Sequence, residues 1–314
     1  MSKFNKLDRR EFLTGSAALA TAASLPTTAF AQETMLAREI PGTGETLPVI
    51  GLGAPEIFID MPEEGKELPM SVLQAMVDQG GRLFDSPSFF RPDVPIIGPI
   101  VQEMGLRDEL FMTGKITVND KDAGVQHLEN LVANLDAGTP ERPMDLLLVH
   151  NMRNLSEHWD TLREWKDAGR TRYIGTSLTR NADYVDLERF MHEAQPDFIM
   201  TGYSIHHPLA EESCLPLAAD LGIGVLIVEA FKATDDGGIF SVVAGKDLPE
   251  WAPDYDIESW AQFSLKFILS NPAVNGIVTE TRQVRHVIDN MRGGYGRIPD
   301  QAGREKMREY LLTI

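Results

Sequence analysis

After Glu33 the chain alternates, eight times over, a short apolar, β-branched run with an amphipathic helical stretch, and this rhythm constrains the fold more than any single residue. The strand-like runs are Leu47–Gly53, Arg82–Asp85, Leu110–Ile116, Asp145–His150, Tyr173–Ser177, Phe198–Tyr203, Gly224–Phe231 and Val274–Val278. The helical stretches are Met70–Gln79, Pro95–Met104, Ala123–Leu135, Ser156–Ala168, Ala182–Ala194, Glu211–Leu221, Ile257–Leu269 and Val284–Met291. Apolar residues three apart, such as Trp159, Leu162 and Trp165, carry the helical period. Gly80-Gly81, Gly169, Pro196 and Gly222 punctuate the junctions. Nearly continuous apolar strands between helices imply a parallel sheet covered by those helices. At 314 residues a closed barrel, which uses ~250 residues as one domain, is favoured over an open doubly wound sheet. No G-x-G-x-x-G turn follows a strand-like run, which counts against a Rossmann unit. The expected fold is α/β, a closed (β/α)8 TIM barrel forming a single domain over residues 32–314.

The first 31 residues read as an address rather than as part of that barrel. Lys3, Lys6, Arg9 and Arg10 outnumber Asp8 and Glu11, a mildly apolar stretch runs from Phe12 to Leu25, and Ala29-Phe30-Ala31 supplies a small-x-small cleavage site. The apolar stretch is too short for a stable membrane span, which needs ~20 predominantly apolar residues. Arg9-Arg10-Glu11-Phe12-Leu13 is similar to the twin-arginine export motif. The expectation is a periplasmic or secreted bacterial protein, exported already folded by the twin-arginine machinery.

Composition narrows the partners. With 43% hydrophobic and 24% charged residues the chain is neither a disordered polymer nor a polytopic membrane protein. A net charge of −18, with no basic stripe against it, disfavours nucleic acid. One cysteine, Cys214, excludes an intrachain disulfide and any cysteine-built metal cage. His206-His207 is too isolated for a metal site, and Asp235-Asp236-Gly237-Gly238 reads as a turn-rich loop.

In an eight-fold barrel the chemistry sits at the C-terminal ends of the strands. The polar residues there are Asp85, Lys115, His150, Ser177, Tyr203 and Glu229, each ending or interrupting an apolar run. An ionisable group so placed needs a partner, and Asp85 with Lys115 on the adjacent strand is the natural ion pair. With His150 on the next strand, the three could polarise a carbonyl group. A purely structural role for the strand-end histidine is an equal reading at this point.

Several segments carry a resemblance. They include Leu47-Pro48-Val49-Ile50-Gly51-Leu52-Gly53, Gly81-Arg82-Leu83-Phe84-Asp85-Ser86, and Asp108-Glu109-Leu110-Phe111-Met112-Thr113-Gly114-Lys115. Asp145-Leu146-Leu147-Leu148-Val149-His150-Asn151, Gly169-Arg170-Thr171-Arg172-Tyr173-Ile174-Gly175 and Trp260-Ala261-Gln262-Phe263-Ser264-Leu265-Lys266 follow in order. Together they resemble the aldo-keto reductases, in particular the branch bearing twin-arginine signals. The resemblance implies a catalytic tetrad of Asp, Tyr, Lys and His, matched at Asp85, Lys115 and His150. The tyrosine position of the pattern D-T/S-x-x-x-Y holds Phe90, which has no proton to give. The resemblance further implies a nicotinamide cofactor, NADP or NAD, contacted by Ser177, Met200, Phe231, Thr281 and Arg282. Leu178 and Met200 stand where the family places Asn and Gln. Glu280 has the wrong sign for a pyrophosphate; Arg282, Arg285 and His286 offer the compensating charge. Tyr203 is read as packing or lining the mouth.

Three functions stay open on the residues alone. The first is an NAD(P)-dependent oxidoreductase acting on a small carbonyl compound. The second is a non-catalytic barrel that binds a small ligand or a protein partner, favoured by Phe90, Met200, Leu178 and Glu280. The third is a barrel hydrolase using Asp85 and Glu229, which needs two carboxylates ~5–9.5 Å apart.

Overall fold

The computed structural model describes residues 34–54, 56–58, 65–86, 97–179, 184–234 and 237–314. The expected signal segment 1–31, Phe90, and Asp235-Asp236 lie outside the described residues. The strands are β1 (Ala37–Glu39), β2 (Thr46–Pro48), β3 (Ile50–Gly53), β4 (Leu83–Asp85), β5 (Phe111–Ile116), β6 (Met144–Val149), β7 (Thr171–Leu178), β8 (Phe198–Gly202), β9 (Gly224–Val228), β10 (Lys232–Thr234), β11 (Gly237–Gly238) and β12 (Gly276–Glu280). The helices are α1 (Glu67–Asp78), α2 (Ile97–Glu103), α3 (Lys121–Asn134), α4 (Leu155–Asp167), α5 (Val185–Ala194), α6 (Cys214–Leu221), α7 (Ile239–Val242), α8 (Trp260–Leu269), α9 (Val284–Arg292) and α10 (Gln301–Leu311).

Eight parallel strands close in the order β12-β3-β4-β5-β6-β7-β8-β9, as the alternation requires of a (β/α)8 barrel. Period-two alternation along each strand divides the apolar residues into two groups. Leu83, Phe111, Leu146, Leu148, Phe198, Met200, Leu226 and Val278 fill the inside of the barrel. Their neighbours Phe84, Met112, Leu147, Ile199, Val225 and Ile277 face outward and pack in the layer beneath the helices. Trp159, Leu162 and Trp165 of α4 are buried in that layer, as their spacing predicts. Side-chain caps start three of the helices: Asp120, Ser259 and Asp300 accept from the backbone N–H of Ala123, Gln262 and Gly303. The interior leaves no room at Gly175 of β7, where a Cβ would lie 2.0 Å from the carbonyl oxygen of Phe198 on β8.

The sequence reading departs from the structure at the chain ends and at strand ends. Leu47–Gly53 is not one strand: Thr46–Pro48 pairs antiparallel with β1, and only Ile50–Gly53 enters the barrel. This hairpin closes the N-terminal end of the barrel. Ile40 and Leu47 join the interior group, Arg38 donates to the carbonyls of Leu269, Asn271 and Val274, and Tyr173 donates to Glu45 at 2.9 Å. Arg172 bridges Glu45 and Asp145. Burial holds the carboxyl of Asp145 above the usual carboxylate range despite its cations. At the other end, β8 stops at Gly202 and β9 at Val228, short of the expected Tyr203 and Phe231. Helices α7 and α10 and the hairpin β10–β11 are additions that strand–helix alternation does not require. Cys214 is a buried free thiol, pushed up to about 12 by burial, and is chemically quiet.

Candidate active site

The inward parity that places Phe111 and Leu83 in the core also turns Thr113, Lys115 and Asp85 toward the barrel axis two and four residues later. Asp85 pairs in register with Thr113, and Lys115 sits one step further toward the C-terminal end. The Lys115 ammonium donates to both oxygens of the Asp85 carboxylate, at 2.5 Å, and to the Ser86 carbonyl at 3.3 Å. The Thr113 hydroxyl donates to the same carboxylate. Lys115 and Asp85 are 5% and 7% exposed, so neither charge has much water to fall back on, and each is the other's solvent.

His150 is the first residue beyond β6, in a short 3-10 turn through Met152. Asn151 and Met152 both take positive φ, 49° and 53°. The imidazole Nδ1 lies 3.3 Å from the Ser177 hydroxyl on β7, which also accepts from the Asn151 backbone N–H at 2.9 Å. The ring's Nε2 lies 3.1 Å from the Asn151 side-chain nitrogen. The Asn151 side-chain oxygen accepts from both the N–H and the hydroxyl of Thr179, each at 2.9 Å. The ends of β6 and β7 are thus tied together through Asn151 and Ser177.

These elements meet at one mouth. A cavity of about 750 Å³ is lined by Asp85, Ser86, Lys115, His150, Ser177 and Met200, with Phe231, Glu229, Lys232 and Glu280 among its other walls. Its size falls in the range of small-molecule sites, ~300–1,000 Å³. Ser86 is 1% exposed and its hydroxyl has no hydrogen-bond partner, a buried donor on a residue that lines this cavity. Glu229 adopts φ +56° where β9 ends. Its carboxylate lies against Gly202, where a Cβ would stand 2.7 Å away, and 3.6 Å from the Lys232 ammonium. Because Asp85 is committed to Lys115 and Thr113, it is not poised as the free acid or base of a hydrolase.

Of the residues singled out from sequence, Asp85, Lys115, His150, Ser177, Met200, Phe231, Glu229 and Glu280 line the mouth. Thr281 and Arg282 do not. They precede α9, where Arg282 is exposed and the Thr281 hydroxyl accepts from the Gln283 N–H at 3.2 Å. Tyr203 points away from the mouth: it is fully buried, with its hydroxyl bonded to Glu211 and Arg304. Sequence reasoning overlooked Ser86, Asn151, Thr179 and Lys232 as site residues. Asn151 had a signal, since an asparagine directly after a strand-end histidine is suited to a left-handed turn; the others had none.

A second cavity, about 580 Å³, shares Thr179, Glu229 and Lys232 with the first and is lined by His206 and His207. Burial and the neighbouring His207 lower the pKa of His206. Among the described residues no group of three or more His, Cys, Asp or Glu side chains is placed to hold a metal ion, and no helix is long and apolar enough to cross a membrane.

The profile of the aldo/keto reductase family matches residues 49–301. No curated protein matches the chain. Among solved structures, the chain is similar to the holo form of an aldo-keto reductase from Bacillus halodurans, with a TM-score of 0.68 at 15% identity, covering 88% of this chain and 96% of that one. It is similar to an aldo/keto reductase from Klebsiella pneumoniae in complex with NADP and acetate, with a TM-score of 0.66 at 17% identity, covering 86% of this chain and 94% of that one. An aldo/keto reductase from Brucella melitensis gives 0.66 at 16% identity, covering 88% and 99%. At such identities the structural likeness speaks for the fold, while the profile match spans most of the chain; the protein belongs to the aldo/keto reductase family.

Proposed function

We propose that the protein is a nicotinamide-dependent oxidoreductase acting on a small carbonyl compound, using the mouth built around Lys115, Asp85 and His150. The observation that carries this reading is the convergence of a buried, bidentate Lys115–Asp85 pair and a hydrogen-bonded His150 on one cavity that also holds an unpartnered donor, Ser86. The donor set fits the uncharged end of NADP or NAD. The Ser86 and Ser177 hydroxyls offer hydrogen bonds to a carboxamide or a sugar oxygen, and Phe231 offers an apolar wall for a ring. Arg282 and Arg285, exposed beside the start of α9, are the cations available to phosphate groups.

A reduced nicotinamide, when bound, supplies the hydride. The chain's own part is electrostatic. Asp85 holds the Lys115 ammonium in place, and a fixed cation beside a carbonyl oxygen stabilises the negative charge that grows there. No reorganisation is needed at the moment of reaction, because the Asp85 carboxylate, itself held by the Thr113 hydroxyl, and the Ser86 carbonyl already fix the ammonium. Phe90, in the position the family resemblance gives to a proton-donating tyrosine, cannot protonate that oxygen. Loss of a general acid typically costs ~10²–10⁴ in rate, so turnover of a generic aldehyde is expected to be slow.

A second reading, a non-catalytic barrel binding a small ligand or a protein partner, is favoured by the same Phe90 and by Met200. Met200 is 1% exposed and apolar at the place where the resemblance implies an amide for the cofactor. Fluorescence titration of the purified protein with NADPH and NADH separates the two. Saturable micromolar binding supports the oxidoreductase; no binding of either dinucleotide refutes it in favour of the binding barrel.

The reading places the protein in the periplasm or outside the cell, delivered folded by the twin-arginine machinery, on the strength of Arg9-Arg10-Glu11-Phe12-Leu13 and Ala29-Phe30-Ala31. Loading with cofactor before export would explain a reductase working where free NADPH is not supplied. Replacing Arg9 and Arg10 with lysine should retain the precursor in the cytoplasm; undiminished export of that variant refutes the assignment.

A further inference from the structure

We propose that Asn151 is a positioning residue that locks the His150 imidazole in one tautomer, with its proton on Nδ1 and a lone pair on Nε2. The assignment stands on hydrogen bonding alone; only its consequence for a substrate rests on the oxidoreductase reading.

The argument starts at Thr179, just past the end of β7. Its N–H and its hydroxyl both reach the Asn151 side-chain oxygen at 2.9 Å. A backbone N–H can only donate, so the Asn151 amide must present its oxygen to Thr179 and its NH2 group to whatever lies on the other side. On the other side, at 3.1 Å, is Nε2 of His150. An amide NH2 can only donate, so Nε2 must accept, and a neutral imidazole that accepts at Nε2 carries its proton on Nδ1. Nδ1 faces the Ser177 hydroxyl at 3.3 Å, which takes that proton as an acceptor. The same hydroxyl accepts from the Asn151 N–H at 2.9 Å, so both its lone pairs are engaged and its own proton is left to be donated.

Asn151 reaches both neighbours because its backbone sits at φ +49°, a left-handed conformation that asparagine adopts more readily than most residues. A single residue thereby orients the histidine through its side chain and the serine through its backbone. For a substrate in the mouth the consequence is a division of labour. Neutral His150 is an acceptor already engaged by Asn151, and the three N–H groups of the Lys115 ammonium are taken by Asp85 and the Ser86 carbonyl. The donors offered to a carbonyl oxygen are the hydroxyls of Ser86 and Ser177, with the Lys115 charge acting beside them.

The test is the ¹⁵N spectrum of the imidazole rings in the uniformly labelled full chain, read through long-range proton–nitrogen correlations at a pH where the rings are neutral. The chain has seven histidines, and His150 is assigned by the signals that vanish in His150→Gln. The expected result is a protonated Nδ1 and an unprotonated Nε2. Asn151→Asp keeps an oxygen for Thr179 and puts a second carboxylate oxygen opposite Nε2, so the proton should move to Nε2 and the two nitrogen signals exchange character. Thr179→Val, which removes the hydroxyl but keeps the backbone N–H that orients the amide, should leave His150 protonated on Nδ1, and a shift of the proton to Nε2 in that variant would overturn the proposal. A wild-type His150 protonated on Nε2, or an Asn151→Asp spectrum unchanged in a protein whose amide spectrum shows it folded, overturns the proposal. Should Asn151→Asp not fold, the wild-type spectrum decides by itself. Because the readout is a nitrogen signal, a protein that binds no dinucleotide would refute the proposed activity and leave this result standing.

Discussion

Replacing Lys115 with methionine removes the cation from a carboxylate that has almost no water around it. At about 2.5 Å and an effective dielectric of ~20, the Lys115–Asp85 pair attracts by ~7 kcal/mol, while taking the two ions out of water costs several kcal/mol each. The pair therefore contributes little net stability, yet each partner depends on the other. Lys115→Met should cost ~3–5 kcal/mol, because Asp85 keeps only the Thr113 hydroxyl. Asp85→Asn should cost a similar amount by stranding the ammonium. The double variant buries no charge, and its loss should fall to ~3 kcal/mol or less, giving a coupling of ~3 kcal/mol or more in the double-mutant cycle. Urea unfolding of the four proteins at pH 7, followed by far-UV circular dichroism, measures this. A double variant as unstable as the sum of the two singles would refute the claim that the two charges are buried against each other.

Gly175→Ala should destabilise by more than ~3 kcal/mol or abolish soluble expression, because its Cβ would meet the Phe198 carbonyl at 2.0 Å and only parting β7 from β8 relieves it; thermal unfolding checks this. Ser86→Ala removes a buried hydroxyl that has no partner, so stability should hold or rise by up to ~1 kcal/mol while dinucleotide or carbonyl-ligand affinity falls; calorimetric titration beside thermal unfolding reads both. Lys266, fully buried on α8 and donating to the carbonyls of Tyr295 and Arg297, is lowered by burial from 10.5 to about 8. Between those values the unfolded chain binds the proton that the folded one has lost, so stability relative to Lys266→Met should rise with pH, by on the order of 3 kcal/mol in all, and be lost again as pH falls through about 8; a difference that stays flat from pH 7 to 11 would refute it. Phe90→Tyr should raise turnover of a generic aldehyde ~10²-fold or more, measured by NADPH consumption; equal rates in both proteins would show that residue 90 is not the missing acid.

The barrel was legible because strand alternation is a local property repeated eight times. Each run such as Asp145–His150 declares its period within a few residues, and eight such units with helices between them leave few closed arrangements. The same parity made Asp85 and Lys115 legible as a pair, since an ion that interrupts a buried strand needs a counter-ion, and the next strand is where one can be. The hairpin β1–β2 was not legible. Its strands are three residues long, and their stability comes from plugging the barrel end, with Ile40 and Leu47 in the interior and Arg38 bonded to carbonyls more than 200 residues away. Of the two places read for Tyr203, packing or the mouth, the structure takes packing: one residue past the end of β8 the parity argument lapses, and the ring is held by Arg304, from the far end of the chain.

By itself, then, the amino-acid order determined the number of barrel strands, the side of the sheet most of their residues face and the identities of the charged groups at the strand ends. Only the tertiary structure decided how those groups are used. Whether Glu229 answers to Lys232, whether Thr281 and Arg282 belong to the mouth, and which way the Asn151 amide turns between Thr179 and His150 all depend on distances across strands. Periodicity fixes direction along a strand, but hydrogen bonds and ion pairs act over about 3 Å in space, and no local pattern encodes which loop ends come that close.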